Sequence, residues 1–312
     1  MPKSVALAGL LAAMALSASA VAADYRPPRT ASGAPDLQGL WSVNSRTKLE
    51  RPDVYPSLVI SEAQERTIPP PPVYVGDDVG QEETEWMDPG FVLGRIRGEI
   101  RTSWLVDPLD GRLPYTEAGA KLVSRSYTSD GPETRSANDR CLPFMSAGPP
   151  MFNAGGGNVW KIVQTPDHVV VMLEGNHEIR IIPLVAKDAP TPARPPDWLG
   201  HPVAWYVGDE LVVRTTSFHP GQSLRRSTFA RLYLSSDAVV TERFRRISAN
   251  QILYSYVVHD PKVFHRDWRG EMPLNATAGP LYEYACHEGN YSMAGILGGA
   301  RVEERAAAVA AR

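Results

Sequence analysis

The sequence predicts a mainly β fold: an antiparallel up-and-down barrel or strongly curved sheet, with an irregular Pro-rich N-terminal region wrapped over it. Two observations predict this class. From Val159 onward, short apolar and β-branched segments follow one another closely and are separated by turn signals. The 28 Pro and 25 Gly among 312 residues favour many short strands and turns over a helical bundle. A meander of this length commonly closes as a barrel or folds into a sandwich.

From Val159 onward, ten segments of the chain are predicted as strands. They are residues 159–164, 168–173, 178–184, 204–207, 211–216, 229–234, 239–247, 251–258, 263–268 and 281–286. Turn signals such as Gly208-Asp209 and Ala249-Asn250 stand between them. We therefore assign residues 159–300 to the barrel-like core.

The first residues are predicted to be a signal peptide, residues 1–22. Lys3 precedes an apolar run, and Ala20 and Ala22 satisfy the small-x-small cleavage pattern. The run is too short for a stable membrane span, and no Cys follows the cleavage point to carry a lipid. The mature protein is expected to be periplasmic or secreted.

Residues 23–158 are predicted to be irregular, with short strands and one short helix that begins after Thr116. Ser61 is a candidate cap for a single helical turn, and prolines 69–72 exclude regular structure after it. Residues 77–88 are acidic and are expected to be a solvated loop or a lid. At the other end of the chain, residues 301–312 are expected to be a helical or frayed tail.

Cys141 and Cys286 are the two cysteines of the chain. In an oxidising compartment two cysteines pair, so export predicts a disulfide between them. Such a bridge closes a loop of about 145 residues and contributes roughly 4 kcal/mol in the chain-entropy model. The alternative is two separate buried thiols.

Charge and motifs exclude several classes of function. The net charge is −3 and no basic stripe is present, so nucleic acid is not an expected partner. The sequence holds no Gly-x-Ser-x-Gly elbow and no dinucleotide fingerprint. The glycines at 155–157 do not precede a predicted helix and so do not make a phosphate loop. No organic cofactor is expected.

The segment from Glu174 to Arg180 is the first candidate site. His177 stands at the mouth of a predicted strand, where small-molecule sites form in barrels. Arg180 lies between isoleucines, and an inward-facing cation requires a carboxylate partner or an anionic ligand. The alternative is an exposed hairpin whose charges are solvated.

The segment around Cys286 is the second candidate site. A disulfide would hold His287 and Glu288 on a rigid support, which suits proton transfer. We assign catalytic roles to His177, His287, Glu288 and Glu174, and substrate binding to Arg180, Tyr282, Tyr284 and Asn290. The alternative is that the polar residues only hydrogen-bond a loop end. A metal bound by His177, His287 and a carboxylate is a further alternative, without a local ligand signature.

Several sequence phrases together resemble a widespread family of secreted bacterial proteins. They are Asp36-Leu-Gln-Gly-Leu-Trp41, Asp139-Arg-Cys141, His177-Glu-Ile-Arg-Ile-Ile-Pro183 and Tyr284-Ala-Cys-His-Glu-Gly-Asn-Tyr291. The resemblance covers nearly all of the mature chain and implies export, but no particular reaction. Residues 208–268 also resemble lipocalin-like (calycin) barrels. Where members of the bacterial family usually have Asn, this chain has Ser217.

The expected function is that of an exported small-molecule enzyme, a lyase, isomerase or hydrolase that uses general acid–base chemistry. One alternative is a non-catalytic, lipocalin-like binding protein for an apolar or aromatic small molecule. Another is a secreted protein with a structural or partner-binding role. The oligomeric state is left open by the sequence.

Overall fold

The computed structural model describes residues 25–69, 90, 92–124, 135, 137–144, 146–187, 189, 193–221, 225–226 and 231–310. The predicted signal peptide, residues 1–22, and the predicted acidic loop, residues 77–88, lie outside these ranges.

Strands dominate the described residues. They are β1 (Gly39–Ser42), β2 (Val59–Ile60), β3 (Arg95–Ile96), β4 (Glu99–Arg101), β5 (Leu105–Asp107), β6 (Val159–Gln164), β7 (His168–Leu173), β8 (Ile179–Pro183), β9 (His201–Val207), β10 (Glu210–Thr216), β11 (Arg225–Arg226), β12 (Arg231–Leu232), β13 (Val239–Ser248), β14 (Gln251–His259) and β15 (Trp268–Ala276). The helices are α1 (Glu62–Thr67), α2 (Glu117–Ser124), α3 (Cys286–Gly289) and α4 (Tyr291–Ala310), and a 3-10 turn covers Gly175–His177.

Nine strands form one antiparallel sheet that nearly closes as a barrel, in the order β8-β7-β6-β1-β15-β14-β13-β10-β9. A ring with an odd number of strands must contain one parallel neighbour pair. That pair lies at the seam, where Leu184 and Ala204 form a parallel bridge and the Val185 amide donates to the Ala204 carbonyl at 2.8 Å. The predicted mainly β, barrel-like fold is confirmed.

The inner face of the barrel is filled by large side chains. Burial alternates along β13 and β14, so every second residue points inward. The largest of the fully buried side chains are aromatic. They include Trp41, Trp160, Trp268, Tyr254, Tyr256 and Phe244. The barrel centre is therefore a packed core.

Residues 146–154, which we call the plug, are buried against this core. The amide of Met151 donates to the hydroxyl of Tyr254 at 2.9 Å. The buried guanidinium of Arg225 donates to three plug carbonyls, those of Gly148, Pro149 and Pro150. Irregular backbone is tolerated there because buried side chains satisfy its polar groups.

Two predicted strands are corrected by the structure. Residues 263–267 precede the last barrel strand, which begins at Trp268 and runs to Ala276. Gly270 and Pro273 have low strand propensity, so the sequence pattern does not indicate this strand. Its pairing with β14 overrides that propensity. Residues 281–285 lie outside any strand, and Cys286 begins α3.

The terminal regions contain regular elements. In the N-terminal region, β1 lies between β6 and β15 in the barrel sheet, β5 pairs with β15, and the helices expected after Ser61 and Thr116 form as α1 and α2. Near the C-terminus, α4 begins at Tyr291 and not at residue 301. None of the helices in the described ranges is long and apolar enough to cross a membrane.

Candidate functional site

Residues 137–144 contact three other segments at one end of the barrel. Asn176, in the turn between β7 and β8, donates to the Leu142 carbonyl at 2.7 Å. Arg140 donates to the Gly221 carbonyl at 3.4 Å. Phe144 packs edge-on against Tyr284 of the C-terminal segment, with ring centroids 5.0 Å apart. Chemistry-bearing residues from distant parts of the chain therefore meet there.

The disulfide between Cys141 and Cys286 is formed, with 5.8 Å between the Cα atoms. This prediction is confirmed. Asn290 reinforces the same junction, because its side-chain amide donates to the Asp139 carbonyl at 2.8 Å. Its side-chain oxygen accepts from the amide of Met293 at 3.3 Å and so caps the start of α4. Asn290, predicted to bind substrate, thus has structural partners.

Glu174 ties the C-terminal segment to the barrel. One carboxylate oxygen accepts from the amide of Tyr282 at 2.9 Å, and the other accepts from the amide of Val159 at 3.3 Å. The Tyr282 side chain itself is 67% exposed. Tyr284 is half-buried, and burial raises its pKa. The Glu174 carboxylate therefore binds two backbone amides. This is a structural role, the alternative to catalysis for the polar residues of this region.

Arg180 lies inside the barrel and its partner is a carboxylate of the protein. Its two terminal nitrogens donate to Glu242 at 2.8 and 2.5 Å. Thr215 stands 3.4 Å away, and Tyr254 donates to the same carboxylate at 2.7 Å. Burial opposes the charge of Arg180, yet the Glu242 carboxylate raises its pKa above the ordinary value. Glu242 was not among the residues selected from the sequence, because its partner is 62 positions away.

The histidines predicted as acid and base differ in position. His177 is half-buried at the barrel end, whereas His287 and Glu288 are exposed on α3. None of these three side chains forms a hydrogen bond with another described residue. Within the described ranges, no group of three His, Cys, Asp or Glu side chains is arranged to hold a metal ion. The alternative metal site of His177, His287 and a carboxylate is therefore not assembled.

Glu178 is the carboxyl group at this end with a shifted pKa. It precedes β8 and is half-buried. Burial raises its pKa, and the nearby Asp197 carboxylate raises it further, against a hydrogen bond from the Phe144 amide. In the sequence, Glu178 is marked by its alternation with Arg180 on one face of a strand. That local pattern does not reveal the influence of Asp197.

Trp198 and His219 stack beside Asp197, whose carbonyl accepts from the His219 amide at 2.7 Å. Their ring centroids are 4.2 Å apart and their planes differ by 27°. The guanidinium of Arg140 lies 5.6 Å from the Trp198 ring centre. The Gly221 amide donates to Nδ1 of His219 at 3.0 Å, so the neutral imidazole carries its proton on Nε2. We call Glu178, Asp197, Trp198, His219 and Arg140 the rim site.

Backbone strain concentrates around the rim site. Four non-glycine residues there have left-handed φ angles: Cys141 (50°), Asn176 (53°), His177 (49°) and Ser217 (61°). Among the described residues, the other non-glycine example is Arg97, in the turn between β3 and β4. Such conformations are costly and persist where the surrounding structure enforces them, often at functional sites.

Comparison with protein-family models, with curated proteins and with solved structures finds no match for this chain. The resemblance to a secreted bacterial family therefore stays a prediction.

Proposed function

We propose that this protein is an exported enzyme that transfers protons on a small molecule at the rim site. The reaction is a lyase, isomerase or hydrolase reaction that uses general acid–base chemistry without an organic cofactor. The observation that carries the proposal is the half-buried position of Glu178 at the end of the barrel that carries the Trp198–His219 stack, where the Asp197 carboxylate acts on it.

Glu178 is the proposed general acid. A carboxyl group whose pKa is raised by burial and by a neighbouring carboxylate keeps its proton closer to neutral pH than an ordinary glutamic acid does. The acid and base roles were expected of His177 and His287, of which His287 is exposed. His219 is the proposed second proton-transfer group, because one of its nitrogens is engaged by backbone and the imidazole is thereby oriented.

The remaining rim residues are proposed to position the substrate. Trp198 offers an aromatic ring for a flat or apolar part of the molecule. Arg140 supplies positive charge for a carbonyl or anionic group. His177 stays a proposed participant, since it lies in the strained turn directly before Glu178.

Export is proposed on two grounds. Residues 1–22 have the pattern of a signal peptide. The bridge between Cys141 and Cys286 is of a kind that persists in oxidising compartments such as the periplasm.

A non-catalytic binding protein is the second candidate. The packed barrel core favours a ligand at the rim over one inside the barrel. A Trp–His stack with a guanidinium at its face is also an arrangement that recognises aromatic or anionic molecules without reacting with them.

The test compares substrate turnover by the wild type with turnover by two matched variants. Mature wild-type protein, Glu178→Gln and Glu117→Gln are incubated with a periplasmic small-molecule extract, and substrate loss is followed by mass spectrometry. Glu117 is an exposed residue of α2 and serves as the control. We expect turnover by the wild type and the control, and a rate lower by about 100-fold or more in Glu178→Gln. Equal rates in all three would overturn the role of Glu178, and retention of an unaltered molecule would favour the binding protein.

A further inference from the structure

A groove of about 380 Å³ lies on the outer wall of the barrel, formed by side chains of β13, β14 and β15 together with residues of β4 and β5. Its volume is within the range of small-molecule pockets. Three arginines face it: Arg101, Arg243 and Arg269. None of the rim residues lines this groove, so it is a separate feature.

The floor of the groove consists of two cross-strand rows. The strand registers place Arg243, Ser255 and Glu271 side by side in one row. They place Thr241, Val257 and Arg269 side by side in the next row. Arg243 and Arg269 therefore occupy diagonal corners, two strand spacings apart across the sheet and two residues apart along it, or about 12 Å between Cα atoms.

Hydroxyl groups complete the polar floor. Ser255 stands beside Arg243 in the first row, and Thr241 ends the second row. Neither hydroxyl has a hydrogen-bond partner among the described residues, so both are available to a ligand.

The groove arginines retain donors beyond their present partners. Arg243 contacts Glu210 at 3.0 Å through one nitrogen, and Arg269 contacts Asp107 at 3.5 Å. Both pairs are partly exposed, and such pairs are weak. Since a guanidinium carries five N–H donors, each arginine can bind a carboxylate while keeping its neighbour.

Arg101 closes one side of the groove. Its side chain is 12% exposed, and it contacts Glu99 at 3.0 Å and Glu271 at 3.6 Å. Its Nε is buried and has no hydrogen-bond partner in the described part of the chain. A buried donor left unpaired is costly. Arg101 also pairs with Glu271, the one acidic residue that lines the groove.

From these contacts we infer that the outer groove is a second binding site, for a small molecule that carries two anionic groups. One anionic group pairs with Arg243 and the other with Arg269. The body of the molecule crosses β14 and accepts hydrogen bonds from Ser255 and Thr241. This inference does not depend on the proposed chemistry at the rim.

The probes are linear dicarboxylates of increasing length, the monocarboxylates of matching length, and inorganic phosphate. Binding to the mature protein is measured by calorimetry at low ionic strength. We expect at least one dicarboxylate to bind saturably, and its matching monocarboxylate to bind about tenfold or more weakly, since it loses one charge-assisted contact. No saturable dicarboxylate binding, or equal binding of phosphate, would overturn the two-centre site.

Arg266 provides a matched control. It contacts the same Asp107 as Arg269, at 2.5 Å, but does not line the groove. We expect Arg243→Gln and Arg269→Gln each to weaken dicarboxylate binding about tenfold, and Arg266→Gln to leave it unchanged. Thermal unfolding of each variant confirms that the fold is retained, which the partial exposure of these arginines predicts. Equal affinity in all the variants would contradict the assignment.

Discussion

Arg180 and Glu242 meet inside the barrel through two hydrogen bonds, of 2.8 and 2.5 Å, with side chains that are 1% and 0% exposed. They belong to β8 and β13, which are not neighbours in the sheet. Tyr254 donates to the same carboxylate and accepts from the Met151 amide of the plug. The ion pair thus connects two walls of the barrel with the plug that covers its core.

Replacement of one partner of this ion pair is predicted to be costly. Glu242→Gln leaves the Arg180 charge buried without a counter-charge, so the free energy of unfolding is expected to fall by about 3–5 kcal/mol. The double variant Arg180→Met with Glu242→Leu is expected to lose less free energy of unfolding than the sum of the losses of Arg180→Met alone and Glu242→Leu alone. Urea unfolding of the single and double variants measures this coupling. Additive losses would show that the two residues act independently.

The disulfide is predicted to stabilise the whole chain. Cys141 and Cys286 are 145 residues apart, and the chain-entropy model gives about 4 kcal/mol for so long a loop. We expect the variant with Ser at both positions to lose about this amount in denaturant unfolding, and reduced wild type to match it. If the double variant unfolds at the wild-type midpoint, the bridge contributes nothing to stability.

Ser217 is predicted to be a strained position. Its φ of 61° is unfavourable for a serine, whereas Asn adopts this region more readily. We expect Ser217→Asn to raise the free energy of unfolding by about 0.5 kcal/mol, and Ser217→Val to lower it by about 1 kcal/mol or more, because β-branched residues avoid positive φ. Thermal unfolding of the two variants provides the comparison. A stabilising Val or a destabilising Asn would argue against strain as the cause.

Glu178 is predicted to make stability depend on pH. Its pKa in the folded protein is raised above the ordinary value of 4.5 by burial first and then by Asp197. Between the unfolded and folded pKa values the native state binds a proton that the unfolded state has lost. The contribution of Glu178 is therefore fully present below the unfolded pKa and is lost as pH rises through the folded pKa.

The measurement is urea unfolding of the wild type and Glu178→Gln from about pH 4 to about pH 7. We expect the variant to gain stability relative to the wild type as pH rises, because Gln does not ionise. Asp197→Asn removes one cause of the shift, so it should reduce this pH dependence. A difference that is constant with pH, or that has the opposite sign, would contradict the raised pKa.

The strands of the barrel were predictable because their pattern is local. Residues 159–164 and 168–173 have alternating burial and flanking turn signals, and both strands form as predicted. The last barrel strand was missed except for its first residue, Trp268, because Gly270 and Pro273 lie within it. The closure of the barrel by β1 depends on a contact between Trp41 and Ala276, which is too distant in sequence for a local pattern to reveal.

The sequence selected the segments around His177 and Cys286 as two separate candidate sites, and their proximity was not predictable. Glu174 of the first segment accepts from the amide of Tyr282 beside the second, a contact between residues 108 positions apart. The influence of Asp197 on the pKa of Glu178 was not visible, since Asp197 lies in the loop between β8 and β9. Nothing in the sequence around Glu174 distinguishes a structural role from a catalytic one. Its contacts with two backbone amides show the structural role.

A nuclear magnetic resonance titration of the Glu178 carboxyl group tests the central claim most directly. The protein is labelled with ¹³C at glutamate carboxyl carbons, and the Glu178 signal is assigned by its loss in Glu178→Gln. The account predicts a Glu178 pKa above the ordinary value of 4.5, and a lower pKa in Asp197→Asn. A Glu178 pKa at or below the ordinary value, unaffected by Asp197→Asn, would contradict its role as the general acid of the rim site.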